Sequence, residues 1–366
     1  MISYLESLLP TGLIELIREE RRFLILIGIF FFIAGVFYET PHIAMWVGFF
    51  FAAYSAIAND SIQTIGTFLA SNADKKWWLL WLWIGGIFFV TVTYSWVTFD
   101  GDVTYERLTS RGFEDAPESF KFLQVAAPLF LLILTRLRMP VSTTFLLLSA
   151  FATQPEGLVD VLNKSLSGYF IAFIIAIIVW LGMNRLLKKL FRGKPSPLWQ
   201  PVQWVVSGML WAVWLMQDAS NIAVFLPRSL ETSAFLLFAG FIFFGLGILF
   251  YMRGDRIQQI VTEKSYVTDV RSATVIDAVY AAILYYFKVV SVVPMSTTWV
   301  FIGLLAGREI AISITDSKGR GRPLSQSFRL IVKDASYAII GLIISIIIAI
   351  SINPFLWDEL MKYFFS

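Results

Sequence analysis

Long uncharged stretches recur along this chain, and they leave few folds open. Residues 23–38 read FLILIGIFFFIAGVFY, and residues 77–99 and 232–252 are equally free of charge. About 20 such residues in a helix match the ~30 Å hydrocarbon core of a bilayer. Lipid offers the backbone no hydrogen-bond partner, so each run must satisfy its own amides as a helix. Only 15% of the 366 residues are charged and the mean hydropathy is +0.72, far from the composition of a soluble domain. The sequence therefore describes an all-α polytopic membrane protein whose first partner is the lipid bilayer. It predicts crossings at 23–38, 43–58, 77–99, 120–136, 140–160, 165–187, 201–216, 232–252, 273–290, 294–313 and 330–352. Residues 1–20 carry Glu6, Glu15, Glu19 and Glu20, and no small-residue cleavage site follows. That suits an interfacial amphipathic helix better than a signal peptide.

Several chemistries are excluded at once. There is no cysteine, so thiolate ligands, disulfides and cysteine nucleophiles are out. His42 is the only histidine, which rules out a multi-histidine metal site and leaves no base with a visible partner. No nucleotide loop or protease signature occurs. The basic GRGRP stretch at 319–323 reads as a membrane-flanking loop, not a nucleic-acid surface. The expectation is a non-enzyme without cofactor.

The chain also repeats itself. Residues 140–144 read PVSTT and residues 294–298 read PMSTT, each entering apolar sequence. Upstream of each, an apolar run closes on an amide and an acid: Asn59-Asp60, then Gln217-Asp218. Asp218 follows Asp60 by 158 residues, and Ser296 follows Ser142 by 154. Two landmarks with nearly equal offsets indicate duplication. Aligned on the acids, Gln63 pairs with Asn221, three residues on in both copies.

Loop charges orient the copies. Loop 100–119 holds six acids and two bases, whereas its counterpart 253–272 holds Arg253, Arg256, Lys264 and Arg271 against three acids. Linker 188–199 is purely basic, with Lys188, Lys189, Arg192 and Lys194. Positive loops face the cytoplasm, so equivalent loops fall on opposite sides. This predicts an inverted-topology repeat of two five-segment halves plus one extra N-terminal helix, with broken or re-entrant Ser-Thr-Thr segments. The divisions are 1–40, interfacial segment and extra helix; 41–187, first repeat; 188–199, cytoplasmic linker; 200–352, second repeat; and 353–366, tail. The N-terminus is expected in the cytoplasm and the C-terminus outside, in a bacterial inner membrane.

Ser142, Thr143 and Thr144, like Ser296, Thr297 and Thr298, combine hydroxyls with a helix start whose amides lack partners. Such an end attracts anions. A single copy reads most simply as a capped helix. Two copies in opposed halves aim both ends at one midplane point, which makes these six residues a candidate anion site. Asn59, Asp60, Gln63, Gln217, Asp218 and Asn221 form a candidate cation site of hard oxygen ligands, suited to Na⁺ at Asp60 and Asp218. The alternative places these groups at interfacial loop ends. Asp277 and Lys288 flank one apolar run as a relay, an ion pair or a snorkelling lysine, and Arg308-Glu309 sits near a helix end. The WWLLWLW run from Trp77 reads as an interfacial aromatic belt.

These motifs resemble the inorganic phosphate transporter family, the PiT or solute-carrier-20 type permeases. That family's Gly-Ala-Asn-Asp-Val-Ala-Asn-Ala signature occurs once per half, each followed by Pro-Val-Ser-Thr-Thr-His. Ala58, Asn59, Asp60, Gln63, Gly66 and Thr67 fit the first copy, and Asp218 and Asn221 fit the second. Pro140 to Thr144 and Pro294 to Thr298 fit the Ser-Thr-Thr elements. The resemblance implies a symporter moving phosphate with co-transported Na⁺ or H⁺, as a homodimer, with Ser-Thr-Thr groups on the anion and Asn-Asp groups on the cation. Departures are Ile57 for the glycine, Gln217 for the first Asn of the second copy, and Phe145 and Trp299 for the two histidines. They leave sulfate or another oxyanion as an alternative substrate, and a non-transporting membrane sensor as a second alternative.

Overall fold

The computed structural model describes residues 20–60, 64–110, 112–137, 139, 141–183, 189, 193–252, 269–315, 323–353 and 357. The expectations for 1–19, Gln63, Pro140, linker residues 188 and 190–192, loop 253–268, the basic loop 316–322 and most of the tail lie outside these residues. Every regular element described is helical. In chain order they are α1 (Arg21–Phe37), α2 (Pro41–Asn59), the short α3 (Gly66–Ser71), α4 (Trp77–Thr98), α5 (Phe122–Arg136), α6 (Pro155–Gly182), α7 (Trp199–Ala223), α8 (Thr232–Tyr251), α9 (Val270–Val290), α10 (Thr297–Thr315) and α11 (Leu324–Ile352). Two of them begin on a proline, Pro41 and Pro155, whose fixed φ suits a first turn and whose missing N–H costs nothing there. Asp269 caps α9 by accepting the Arg271 N–H at 2.8 Å.

Seven helices, namely α2, α4, α6, α8, α9, α10 and α11, are long and apolar enough to cross a membrane. Outward-facing Phe32, Val90, Ile178, Phe244 and Ile248 are more than half exposed, as lipid-facing side chains are. This is an integral membrane protein. Although α7 is 25 residues long, it is less apolar because Gln203, Ser207, Gln217, Asp218, Ser220 and Asn221 all lie on its buried faces.

Helices α2 and α7 run in opposite directions. Near the start of α2, Gly48 packs against Phe225, just beyond the end of α7. Past the far end of α2, Asn72 donates to Gln203 near the start of α7 at 2.8 Å. In the same way α4 lies antiparallel to α8. Trp96 stacks on Phe235 at 4.6 Å, while Trp77 meets the edge of Tyr251 at 5.3 Å. The tryptophan run is therefore more than a belt. Trp81 donates to Phe243 O at 2.9 Å and Trp83 to Trp204 O at 3.1 Å, so these two indoles pin helices together.

The last helix of each half packs on the Ser-Thr-Thr element of the other. Gly341 of α11 lies against Val141, and Gly168 of α6 faces Met295 and Val300. The two Ser-Thr-Thr elements differ in length. After Ser142 and Thr143 comes a π turn, Thr144–Leu148, and a 3-10 turn, Ser149–Phe151, together about 12 Å long. This segment returns along α5, since Gln124 at the start of α5 donates to Ala150 O at 3.0 Å. Thr153 then bonds Gly112 O through its N–H at 3.0 Å, and Pro155 starts α6. The expected boundaries at 160 and 165 are thus corrected, because 155–160 belongs to α6. The second element, α10, is one continuous helix.

Helices α6 and α10 make the tightest contact. A Cβ at Gly303 would fall 2.3 Å from Tyr169 O, and one at Gly307 would fall 2.2 Å from Phe173 O. These small residues four apart let two backbones touch. Gly303→Ala and Gly307→Ala are each expected to destabilise the protein by about 1–3 kcal/mol. Gly86→Ala, with nothing within 4 Å of the new methyl, is expected to be neutral or mildly stabilising. Thermal unfolding in detergent checks all three.

Candidate functional site

The first half builds its share of the site where α2 ends. Asn59 is the last residue of α2 and Asp60 its C-cap, and both are buried. Asn59 Nδ2 donates to Asp60 Oδ1 at 2.8 Å and reaches Val141 O at 3.4 Å. Thr143 donates its hydroxyl to Asp60 Oδ2 at 2.5 Å. Thr135, near the end of α5, donates to Asn59 Oδ1 at 2.9 Å and so fixes the amide's orientation.

The second half uses an unbroken helix. α7 continues through Gln217, Asp218 and Asn221 to Ala223, which corrects the expectation of a break at the second acid. Residues three apart share a helix face. Asn221 Nδ2 accordingly donates to Asp218 Oδ1 at 2.6 Å and to Thr144 Oγ1 at 3.2 Å. Gln217 donates to Leu284 O at 3.0 Å. Asp218 Oδ2, Gln217 Oε1 and Asn221 Oδ1 are buried acceptors without a partner among the described residues.

Between the acids the two Ser-Thr-Thr turns meet end to end. Ser142 Oγ accepts the Phe145 N–H at 3.1 Å, and Ser296 Oγ accepts the Trp299 N–H at 3.2 Å. Both serines therefore cap their helices as the sequence suggests. Thr144 donates to Met295 O at 3.0 Å, and Thr298 reaches back to Val141 O at 3.5 Å. Trp214 donates to Thr297 Oγ1 at 3.2 Å, and Tyr280 donates to Thr297 O at 2.9 Å. Ser165 Oγ accepts the Ser296 N–H at 2.8 Å. Thr144 also lies 3.4 Å from Asp218 Oδ1, so each acid touches a hydroxyl of the first turn. All six hydroxyl residues and Asn59, Asp60, Gln217, Asp218 and Asn221 converge here, each at most 5% exposed. Among the described residues no three His, Asp or Glu side chains gather into a metal-binding group.

An oxyanion on these hydroxyls would sit about two hydrogen-bond lengths, ~5 Å, from each carboxylate. At an effective dielectric of ~20, that repulsion is about 3 kcal/mol per pair of unit charges.

Sequence reasoning missed several contributors. Arg107, in the loop after α4, is 1% exposed. It donates to Met216 O at 3.1 Å, to Lys288 O at 3.4 Å and to Ser291 O, so it ties the loop to the C-terminal parts of α7 and α9. Burial pushes its pKa down to about 10, which the charge of Asp218 partly offsets, and it stays cationic at neutral pH. Nothing in its sequence context marks an arginine in an acidic loop as buried. Asp277 does not pair with Lys288. It accepts from Thr67 at 2.8 Å and from Ser207 at 2.5 Å, while Lys288 lies over the Tyr105 ring. The pair is separated by three turns of α9, ~16 Å.

No family model matches the chain, and no curated protein matches it. A solved structure of a sodium-dependent phosphate transporter aligns over 88% of this chain and 99% of its own, with a TM-score of 0.53 and 17% sequence identity. The two share a fold.

Removing Arg107 breaks charge-assisted bonds that hold two helix ends. Arg107→Ala is expected to cost about 3 kcal/mol of stability, and Lys288→Ala under about 1 kcal/mol. Thermal unfolding of both variants checks the ranking.

Proposed function

We propose that this protein imports inorganic phosphate by symport with Na⁺ or H⁺, as a divergent relative of the PiT permeases. The observation that carries the reading is the contact of each buried acid with a Ser-Thr-Thr hydroxyl: Asp60 with Thr143 and Asp218 with Thr144. Anion and cation sites that share a hydroxyl are coupled, because each ligand removes the electrostatic penalty of the other. Na⁺ is favoured by the three orphaned oxygens on α7, a hard-ligand set. A protonated phosphate oxygen would donate to Asp60 or Asp218.

Transport follows from alternating access around this point. The antiparallel course of α2 and α7, and of α4 and α8, supports two inverted halves, 41–187 and 200–352, with the 1–40 segment as an addition. The cytoplasmic N-terminus, outside C-terminus, bacterial inner membrane and homodimer are parts of the same proposal. The shared fold with a sodium-dependent phosphate transporter supports it.

Proteoliposome uptake of labelled phosphate and sulfate, with and without a Na⁺ gradient, tests the reading. Phosphate uptake driven by Na⁺ or by a pH gradient is expected. Asp60→Asn and Thr297→Ala should each lower it at least about tenfold, the worth of one hydrogen bond to a charged group. Uptake untouched by both substitutions would sink the site assignment. Sulfate-only uptake would change the substrate, and uptake of neither anion would favour a sensor.

A further inference from the structure

The buried orphan atoms at the site sort by sign. Gln217 Oε1, Asp218 Oδ2 and Asn221 Oδ1 are acceptors, and the reading above gives them a cation. The remaining one is a donor. Trp299 is 7% exposed, and its indole Nε1–H has no acceptor among the described residues. A buried donor left unpaired forfeits its hydration, so folded proteins keep few of them and each calls for a ligand or water. Indole donates and never accepts, so the missing partner is an acceptor atom.

Position narrows the partner. Trp299 lies in the first turn of α10, with its own amide bonded to Ser296 Oγ at 3.2 Å. Helical side chains lean toward the N-terminus of their helix, which carries this indole back over residues 296–298. Its ring meets Phe145 edge-on, with centroids 5.3 Å apart, and Phe145 directly follows the first Ser-Thr-Thr. The indole is thus clamped between the two turns and has little freedom to seek a partner elsewhere.

We propose that Trp299 is a specificity-determining residue of the anion site, its indole N–H donating to one oxygen of a tetrahedral oxyanion held by the two Ser-Thr-Thr turns. This rests on the transport reading above. The indole adds a directional donor without adding charge. It donates more strongly to an unprotonated, charged oxygen than to a P–OH oxygen, so it favours one orientation of a partly protonated anion.

Trp299→Phe keeps an aromatic ring at the position, deletes the N–H and leaves space where the five-membered ring stood. The apparent KM for phosphate is expected to rise about tenfold with kcat within about twofold. The ligand-free melting temperature should change by only a few degrees, since loss of the orphan donor offsets the lost packing, while the rise in melting temperature on adding phosphate shrinks. In wild-type protein carrying ¹⁵N-tryptophan, one indole resonance should move on adding phosphate, and that resonance should be missing from W299F. An unchanged KM and an unchanged phosphate-induced shift in W299F would overturn the proposal. So would a lower ligand-free melting temperature with unchanged KM, which marks a structural hydrogen bond. Should the variant fail to fold, the wild-type spectrum decides: no indole resonance moving at saturating phosphate overturns it. Wild-type protein that responds to neither phosphate nor sulfate in uptake or melting would remove the transport reading, and Trp299 with it. A response to sulfate alone leaves the Trp299 test in force with sulfate as the probe.

Discussion

The hydroxyl of Thr143 rests 2.5 Å from the carboxylate of Asp60 in the interior of the bundle. A carboxylate in that setting must be supplied with donors, and the architecture around it is the means of supply. α2 stops at Asn59, so an amide and the start of a return segment can reach the acid from one side. The segment after α5 is short and wound in π and 3-10 turns, which sets Thr143 toward Asp60 and Thr144 toward Asp218 within two residues. π turns recur where a helix must redirect a side chain, and this one falls at the junction of both acids. The polar face of α7, which lowers its apolarity, serves the second acid in the same way.

Away from this centre, polar contacts join helices distant in sequence, alongside the apolar packing of the core. On one face Arg107 reaches Met216 O and Lys288 O, Leu230 N–H bonds Gly101 O at 2.9 Å, and Trp96 donates to Leu230 O at 2.7 Å. Gly101 adopts φ +94°, and a side chain there would strike Ser229 and Leu230, so glycine is what permits the approach. On the other face Asp277 bridges Thr67 and Ser207, and Asn72 joins Gln203, Gln200 and Trp204. A neutral hydrogen bond exchanged for one to water changes stability by only about 1 kcal/mol.

Apolar runs and the two landmark motifs were readable from sequence because period, length and repeated residue types are local properties. The helices at 77–98, 232–251 and 270–290 lie within a few residues of where the runs place them. What escaped reading is set by tertiary contact. Thr135 matters through its bond to Asn59, 76 residues away, and a lone threonine at a helix end carries no mark of that. Arg107 is buried because three carbonyls from distant helices surround it. The break at 152–154 had a local signal in Pro155, outweighed by the apolar residues on both sides. The continuity of α7 through Asp218 also contradicts local expectation, since an amide and an acid suggest a helix end where packing instead keeps the turn. Gly303 and Gly307 stood in sequence as a small-residue pair at spacing four, a signal open to reading.

Aromatic residues at 145 and 299 alter how such a site can respond to pH. A histidine beside an oxyanion changes charge between about pH 5 and 8, and would add its own titration to that of the substrate. Phe145 and Trp299 do not titrate, and their rings meet edge-on at the first turns of the two Ser-Thr-Thr elements. In the proposed transport cycle, proton exchange at the centre falls to Asp60, Asp218 and the oxyanion itself. A proton or a sodium ion on either acid does the same electrostatic work for the anion, since both replace a negative charge with a neutral pair. The choice between them depends on whether the three free oxygens of Gln217, Asp218 and Asn221 close around a cation, for a proton can engage only one of them at full strength.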